Sequence, residues 1–218
     1  MLRAGRVTVN GAPEKRPETQ LDPAAAAVCI DGAPVVYKQY LYIMLHKPAG
    51  IVSASSDSRT PTVIDLLPER LRRPGLFPAG RLDKDTTGFV LITDDGAFAH
   101  NMLSPARHVE KTYLVTLPRL LTRAECDAVT SGLTVGDTRF RPAKLRLAAD
   151  GPAPQYEIVL TEGKYHQIKR MFGSLGAPVT ALHRTKLGGL ELDPALRPGE
   201  CRELTAGELR LLTERAEK

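Results

Sequence analysis

At 218 residues the chain can bury a sizeable core, as one domain with an appendage or as two small ones, which excludes a short disulfide-stapled module. Lysine and arginine number 30 against 25 aspartate and glutamate, and the formal net charge of +5 favours polyanionic partners such as nucleic acid or anionic lipid. Cys29, Cys126 and Cys201 are odd in number and far apart, with no C-x-x-C pair, so they read as reduced thiols and not as zinc ligands or a redox couple. No charged-then-apolar leader opens the chain, and residues 24–27 are too short for a signal core or a membrane span, so the cytoplasm is the expected location.

Residues 1–36 give a basic turn, an alternating strand with Val7 and Val9, an Asn10-Gly11 hairpin signal, and a second strand at 28–30 ending at Asp31-Gly32. A hairpin of this size has little apolar surface to bury, so the arm is expected to be marginal alone or to lean on the larger domain. Pro13, Pro17 and Pro23 also fit a plain flexible arm. Residues 37–218 form that larger domain, entered through 37–40, with a first strand predicted at 41–45 and a turn at His46-Lys47-Pro48-Ala49-Gly50. Residues 53–60 are polar, and 62–67, after Pro61, are predicted to make one or two helical turns.

The stretch 80–96, GRLDKDTTGFVLITDDG, organises the rest of the chain. Gly80 and Gly88 bracket a polar loop, 89–92 reads as a buried strand, and Thr93-Asp94-Asp95-Gly96 turns the chain. Asp83 therefore sits on a loop entering a rigid strand, where Arg81 and the hydroxyls of Thr86 and Thr87 can pre-organise its carboxylate. The same pattern also fits a surface ion pair of Arg81 and Asp83 beside a turn.

Asp94 or Asp95 caps a helix predicted over 97–103, which Ser104-Pro105 ends. Residues 108–117 alternate as a strand with Lys111, Tyr113, Val115 and Leu117 on one face. Thr122 and Glu125 make a capping box for a helix closed by Gly132, and strands are predicted at 135–147 and 155–160 around a Gly151-Pro152 loop. Glu162-Gly163-Lys164 turns into a helix whose Ile168, Met171, Phe172 and Leu175 share one face, leaving Gln167, Lys169 and Arg170 off it; Gly176 and Pro178 stop it. Strands over 179–192 surround Gly188-Gly189, and Thr205 with Glu208 caps a terminal helix. Without an internal repeat or a regular βαβ alternation, the expected class is α+β, a mixed and largely antiparallel sheet flanked by helices. His46, His100, His108, His166 and His183 show no metal-ligand spacing.

Four segments carry a resemblance: HKPAGIVSAS (46–55), GRLDKDTTGFVLITDDG (80–96), EKTYLVTL (110–117) and EGKYHQIKRMF (162–172). In this order they resemble the RsuA-type branch of the RNA pseudouridine synthases over most of residues 40–190. Residues 1–36 resemble the back half of an S4-type RNA-binding module whose first helices are missing, as a misplaced start or a truncation would leave it. The resemblance implies isomerisation of uridine to pseudouridine in ribosomal RNA without metal or cofactor, with Asp83 as nucleophile and Lys169 as its cationic partner. Related enzymes commonly carry arginine at the position of Lys169, and the two cations are not interchangeable. Tyr113 corresponds to the family's active-site tyrosine, placed to stack on the uracil or relay the C5 proton, although a strand tyrosine with its ring in the core fits the same residue. Arg81 would fill the space left by a flipped nucleotide. Lys47 would lie near the RNA backbone or the cleft, Arg59, Lys164, Arg170, Arg184 and Lys186 would hold phosphates, and His166 and Gln167 would cap their helix or touch RNA. The form of EGKYHQIKRMF resembles the small-subunit enzymes, implying a monomer that acts on small-subunit RNA or a pre-ribosomal particle, with no membrane. A large-subunit enzyme of the same branch, a non-catalytic RNA-binding assembly factor, and a two-carboxylate hydrolase using Asp83 and Asp85 are the alternatives.

Overall fold

In a computed structural model, residues 1–213 are described apart from 24, 36, 105, 106 and 108, and the chain divides into two units, Met1–Tyr40 and Leu41–Lys218. The first unit has a 3-10 turn, Leu2–Ala4, and four strands: β1 (Val7–Val9), β2 (Ala12–Pro13), β3 (Val28–Ile30) and β4 (Ala33–Val35). They pair antiparallel in the order β2-β1-β3-β4. Both hairpins turn on a left-handed pair, Asn10-Gly11 at φ 50° and 82° and Asp31-Gly32 at 52° and 78°, the geometry that twists in step with its strands. Val7 is the one buried apolar side chain among the described residues of this unit.

The second unit contains β5 (Tyr42–Lys47), β6 (Phe77–Ala79), β7 (Thr87–Thr93), α1 (Gly96–Leu103), β8 (Lys111–Thr116), α2 (Arg123–Ser131), β9 (Thr134–Val135) and β10 (Thr138–Arg139). β11 (Lys144–Ala149), β12 (Gln155–Leu160), α3 (Gln167–Ser174), β13 (Ala181–Leu187), β14 (Leu190–Glu191), β15 (Cys201–Glu203) and α4 (Ala206–Thr213) follow, and a 3-10 turn, Glu69–Leu71, lies between β5 and β6. Its sheet runs β11-β12-β8-β13-β7-β5-β15, with β14 beside β13 and β6 beside β7. Among the described strands of this sheet only β7 and β13 pair parallel; the other pairings are antiparallel. This is the expected α+β class, a mixed and largely antiparallel sheet with helices.

The apolar run of β7 is the centre of the sheet because it is buried on both faces, as a continuous hydrophobic strand should be. Val90 and Ile92 join the cluster that takes in Val129 of α2 and Ile168, Met171 and Phe172 of α3. Phe89 and Leu91 point the other way, against Ala99 and Met102 of α1 and Leu212 of α4. Asp95 is the residue that caps α1, accepting from the Phe98 amide at 2.9 Å, while Asp94 instead accepts from the Leu41 amide and pairs with Arg73. The capping boxes Thr122–Glu125 and Thr205–Glu208 both form.

Gly88 is the point where β7 admits β13. Its φ is +105°, and an added Cβ would lie 2.3 Å from the Arg184 carbonyl oxygen. Gly88→Ala is expected to cost about 3 kcal/mol or more through backbone strain plus overlap with backbone that has nowhere to go. The check is thermal unfolding of the purified variant: a midpoint within a degree of wild type would show that the strands can part freely.

Three predicted elements differ. Residues 62–67 form successive turns, not helix: the Asp65 carboxylate accepts from the Thr62 amide (2.7 Å) and hydroxyl (2.9 Å) as at a helix start, but Pro68 follows at once and turns Leu67 away from helical backbone. The single strand foreseen at 135–147 is broken by the β9–β10 hairpin before β11 starts at Lys144. The strand foreseen at 41–45 continues through His46 and Lys47, which removes Lys47 from a turn and places it inside the sheet. The predicted strand start at His108 and the helix stop at Pro105 lie outside the described residues.

Candidate active site

Asp83 lies on the loop between β6 and β7, where the sheet's open end meets the N-terminus of α3. The loop is fixed from behind. Lys47 is fully buried, and its ammonium donates to the carbonyl oxygens of Pro48 (3.1 Å), Lys84 (3.2 Å) and Thr86 (2.7 Å). Burial pulls its pKa down to about 8, against the attraction of Asp85 and Asp83. Lys47 therefore has no surface for an RNA phosphate, and the expectation that it binds RNA is corrected: it braces the loop that presents Asp83. Ser53 braces the same loop, its hydroxyl accepting from the Leu82 amide at 3.1 Å.

In front of the loop stands Lys169, on the first turn of α3. Its ammonium lies 3.0 Å from Asp83 Oδ2 and 2.6 Å from Asp85 Oδ1, so one cation is shared by two carboxylates. Burial works against that charge, but the carboxylates of Asp85 and Asp83 outweigh it and hold the Lys169 pKa above the usual lysine value. The same hydrogen bond holds Asp85 below the usual carboxyl range. His166 reaches the other oxygen of Asp83, with Nε2 3.4 Å from Oδ1. It does so from a left-handed backbone, φ 48° and ψ 34°, a region few residues other than glycine occupy.

Tyr113, on β8, closes the far wall of this cleft together with Thr86, Leu160, Ile168 and Leu182. Behind its ring Arg184 is 2% exposed, donating from Nε to the Phe89 carbonyl at 2.7 Å and lying 3.5 Å from the Tyr113 hydroxyl. Arg184 Nη2 and Thr86 Oγ1 are buried without a hydrogen-bond partner among the described residues. Arg184 is thus a support beneath Tyr113 and not a surface phosphate ligand, which corrects that expectation.

The remaining predicted RNA ligands divide. Arg81 and Lys164 line the same cleft as Asp83, Arg81 exposed and Lys164 tethered to the Arg139 carbonyl at 2.5 Å. Arg59 is exposed on the loop that carries Asp57. Gln167 is buried, contrary to expectation, its side chain donating to Glu162 Oε1 at 2.8 Å and accepting from the Lys164 amide at 3.1 Å, so it knots the turn before α3 and does not face RNA. Arg170 donates to the Val135 carbonyl and the Thr138 hydroxyl and lies over the Phe140 ring, which commits it to the β9–β10 hairpin. Lys186 lines a different cavity with His46 and His183 and faces Glu191 at 3.8 Å, apart from the Asp83 cluster. No group of three or more potential metal ligands is assembled, and no helix is long and apolar enough to cross a membrane, among the described residues.

Residues 41–174 match the model of the RNA pseudouridylate synthase family. The chain is 44% identical to the uncharacterized RNA pseudouridine synthase YtzG of Bacillus subtilis, over 98% of this chain and 90% of that protein. It is 40% identical to the ribosomal small subunit pseudouridine synthase A of Escherichia coli, over 95% of this chain and 89% of that protein. A solved pseudouridylate synthase superposes with a TM-score of 0.73 at 37% identity, covering 97% of this chain and 90% of the other. Since the matched region contains Asp83, Tyr113 and Lys169 and the likeness extends over nearly the full chain, this protein belongs to the RNA pseudouridine synthase family, in its RsuA-like branch.

Proposed function

We propose that this isomerase converts a uridine of small-subunit ribosomal RNA, free or within a pre-ribosomal particle, to pseudouridine, acting as a cytoplasmic monomer with Asp83 as its nucleophile. The conversion breaks the N1–C1′ bond, forms a C5–C1′ bond, removes the proton from C5 and returns one to N1. Atoms and electrons balance within the nucleotide, so no cofactor enters the scheme. The observation that carries the assignment of roles is the ion pair of Asp83 with Lys169 at 3.0 Å, in one cleft with Tyr113. The cation supplies the counter-charge to the carboxylate as the entering base displaces water.

Tyr113 flanks the base and relays the C5 proton, steadied by Arg184. Arg81, exposed at the rim, takes the place of the nucleotide that leaves its stack, a step that costs a few kcal/mol for a paired base. Lys164 and Arg59 neutralise phosphates, and residues 1–36 act as a small S4-like RNA-binding module preceding the catalytic domain of 37–218. The choice of small-subunit RNA is supported by the 40% identity to the Escherichia coli enzyme named for that subunit, and by His166 and Lys169 within EGKYHQIKRMF.

Carbodiimide mapping of pseudouridine in ribosomal RNA from cells with and without the gene tests the proposal. Loss of one small-subunit site, restored by the purified protein on that RNA or on precursor particles, is the expected result. Loss of a large-subunit site would move the target, and unchanged RNA in both subunits would leave a binding protein.

A further inference from the structure

The turn before α3 places an aromatic residue at the mouth of the cleft in a way that the isomerisation of one nucleotide does not explain. Tyr165 is 74% exposed, yet its ring is not free: it stacks on the His166 imidazole, centroids 3.8 Å apart and planes 17° apart. His166 is itself held by its contact with Asp83 and by the left-handed backbone, and the Gln167 amide closes the turn on the Lys164 carbonyl at 3.1 Å. The strain at His166 is therefore spent on aiming two rings, one toward the nucleophile and one outward. One face of Tyr165 is covered by histidine and the other is open to solvent.

A second cavity borders this ring. Its walls include Arg81, Lys84, Lys164 and Tyr165, and it shares Asp83 and His166 with the cleft that holds Tyr113. Asp57 also lines it, with its carboxylate turned to the amides of Arg59 and Thr60. An immobilised aromatic face beside Arg81 and Lys84 is the arrangement that binds a nucleobase with its phosphate, because every base offers a π-face and the backbone supplies the charge.

We propose that Tyr165, backed by His166, is the stacking platform for the nucleobase next to the target uridine in the RNA strand. This rests on the reading of Asp83 as the centre of an RNA-modifying site. It gives the two joined cavities separate occupants: the uridine beside Tyr113, and its neighbour on Tyr165 with the intervening phosphate between Arg81 and Lys84.

The test uses oligoribonucleotides around the uridine that wild-type enzyme modifies, intact or abasic at the position on either side. On intact RNA, Tyr165→Ala is expected to raise KM by about 5- to 100-fold, the range for losing one base–aromatic stack, with kcat changed far less. Tyr165→Phe, which keeps the ring, restores KM to within about twofold. On RNA abasic at the stacked position, wild type should lose the same factor and Tyr165→Ala should lose nothing more. An unmoved KM for Tyr165→Ala, or an equal rise on intact and both abasic RNAs, overturns the platform while wild-type turnover keeps the catalytic reading intact. Absence of pseudouridine from the wild-type reaction overturns both.

Discussion

Replacing Asp83 by asparagine is expected to cut pseudouridine formation by about 10⁴-fold or more, while the fold and the affinity for RNA persist. Asparagine matches aspartate in shape and can still accept a hydrogen bond from Lys169, but its amide cannot serve as a charged nucleophile. The structure gives two reasons for the fold to survive. Asp83 is on a loop with its side chain 30% exposed, so no core packing is lost, and Lys169 keeps its 2.6 Å bond to Asp85 when Asp83 is neutralised. Lys47 and Ser53 continue to brace the loop from behind. Single-turnover assay of pseudouridine beside an RNA-binding isotherm separates chemistry from recognition. Turnover within about tenfold of wild type would remove Asp83 from the nucleophile's role, because losing a covalent catalyst is far more costly than that.

How much of the molecule is legible in its sequence depends on the range of the interactions involved. β7 is legible since burial on both faces writes itself as a continuous apolar run, and the two capping boxes are legible since their donors and acceptors lie three residues apart. Asp83, Tyr113 and Lys169 come from three elements and meet in one cleft as the resemblance implies. Lys47 is illegible because the carbonyls that satisfy it belong to its neighbour Pro48 and to residues 37 and 39 positions away, and a lysine at a strand end looks the same in sequence whether solvated or buried. Gln167 has the opposite difficulty: it lies just outside the apolar stripe of α3, yet Glu162, five residues earlier, turns its amide inward. Arg184 belongs to a strand alternation that a bulge between Arg184 and Lys186 disrupts, so the pattern does not tell which of the two faces the core. The sharing of Lys169 by Asp83 and Asp85 spans 84 residues and has no local signal beyond two aspartates two apart on a loop.

That sharing sets the second large effect. Lys169→Met removes the only cation bonded to both carboxylates among the described residues and is expected to lower kcat by about 10²- to 10³-fold, the range for deleting one pre-organised electrostatic partner. The pH dependence tells this apart from a packing defect. Lys169 has its folded pKa raised, so its ion-pair contribution is complete below the unfolded lysine value of 10.5 and fades only as pH rises through the folded value above it. Asp85 has its folded pKa lowered, so its contribution is present above the unfolded value of 3.8 and fades as pH falls through the folded value. Between these limits the stability difference between wild type and Lys169→Met should be flat, and modest, because both partners touch solvent. The activity difference should instead be large throughout that window, since two carboxylates are left without the ammonium they share. Lys169→Arg restores the charge as a planar fork and should recover activity to within about tenfold. A Lys169→Met variant whose kcat stays within about tenfold of wild type would show that Asp83 does not depend on this lysine. His166, 3.4 Å from the other carboxylate oxygen of Asp83, would be the next group to change.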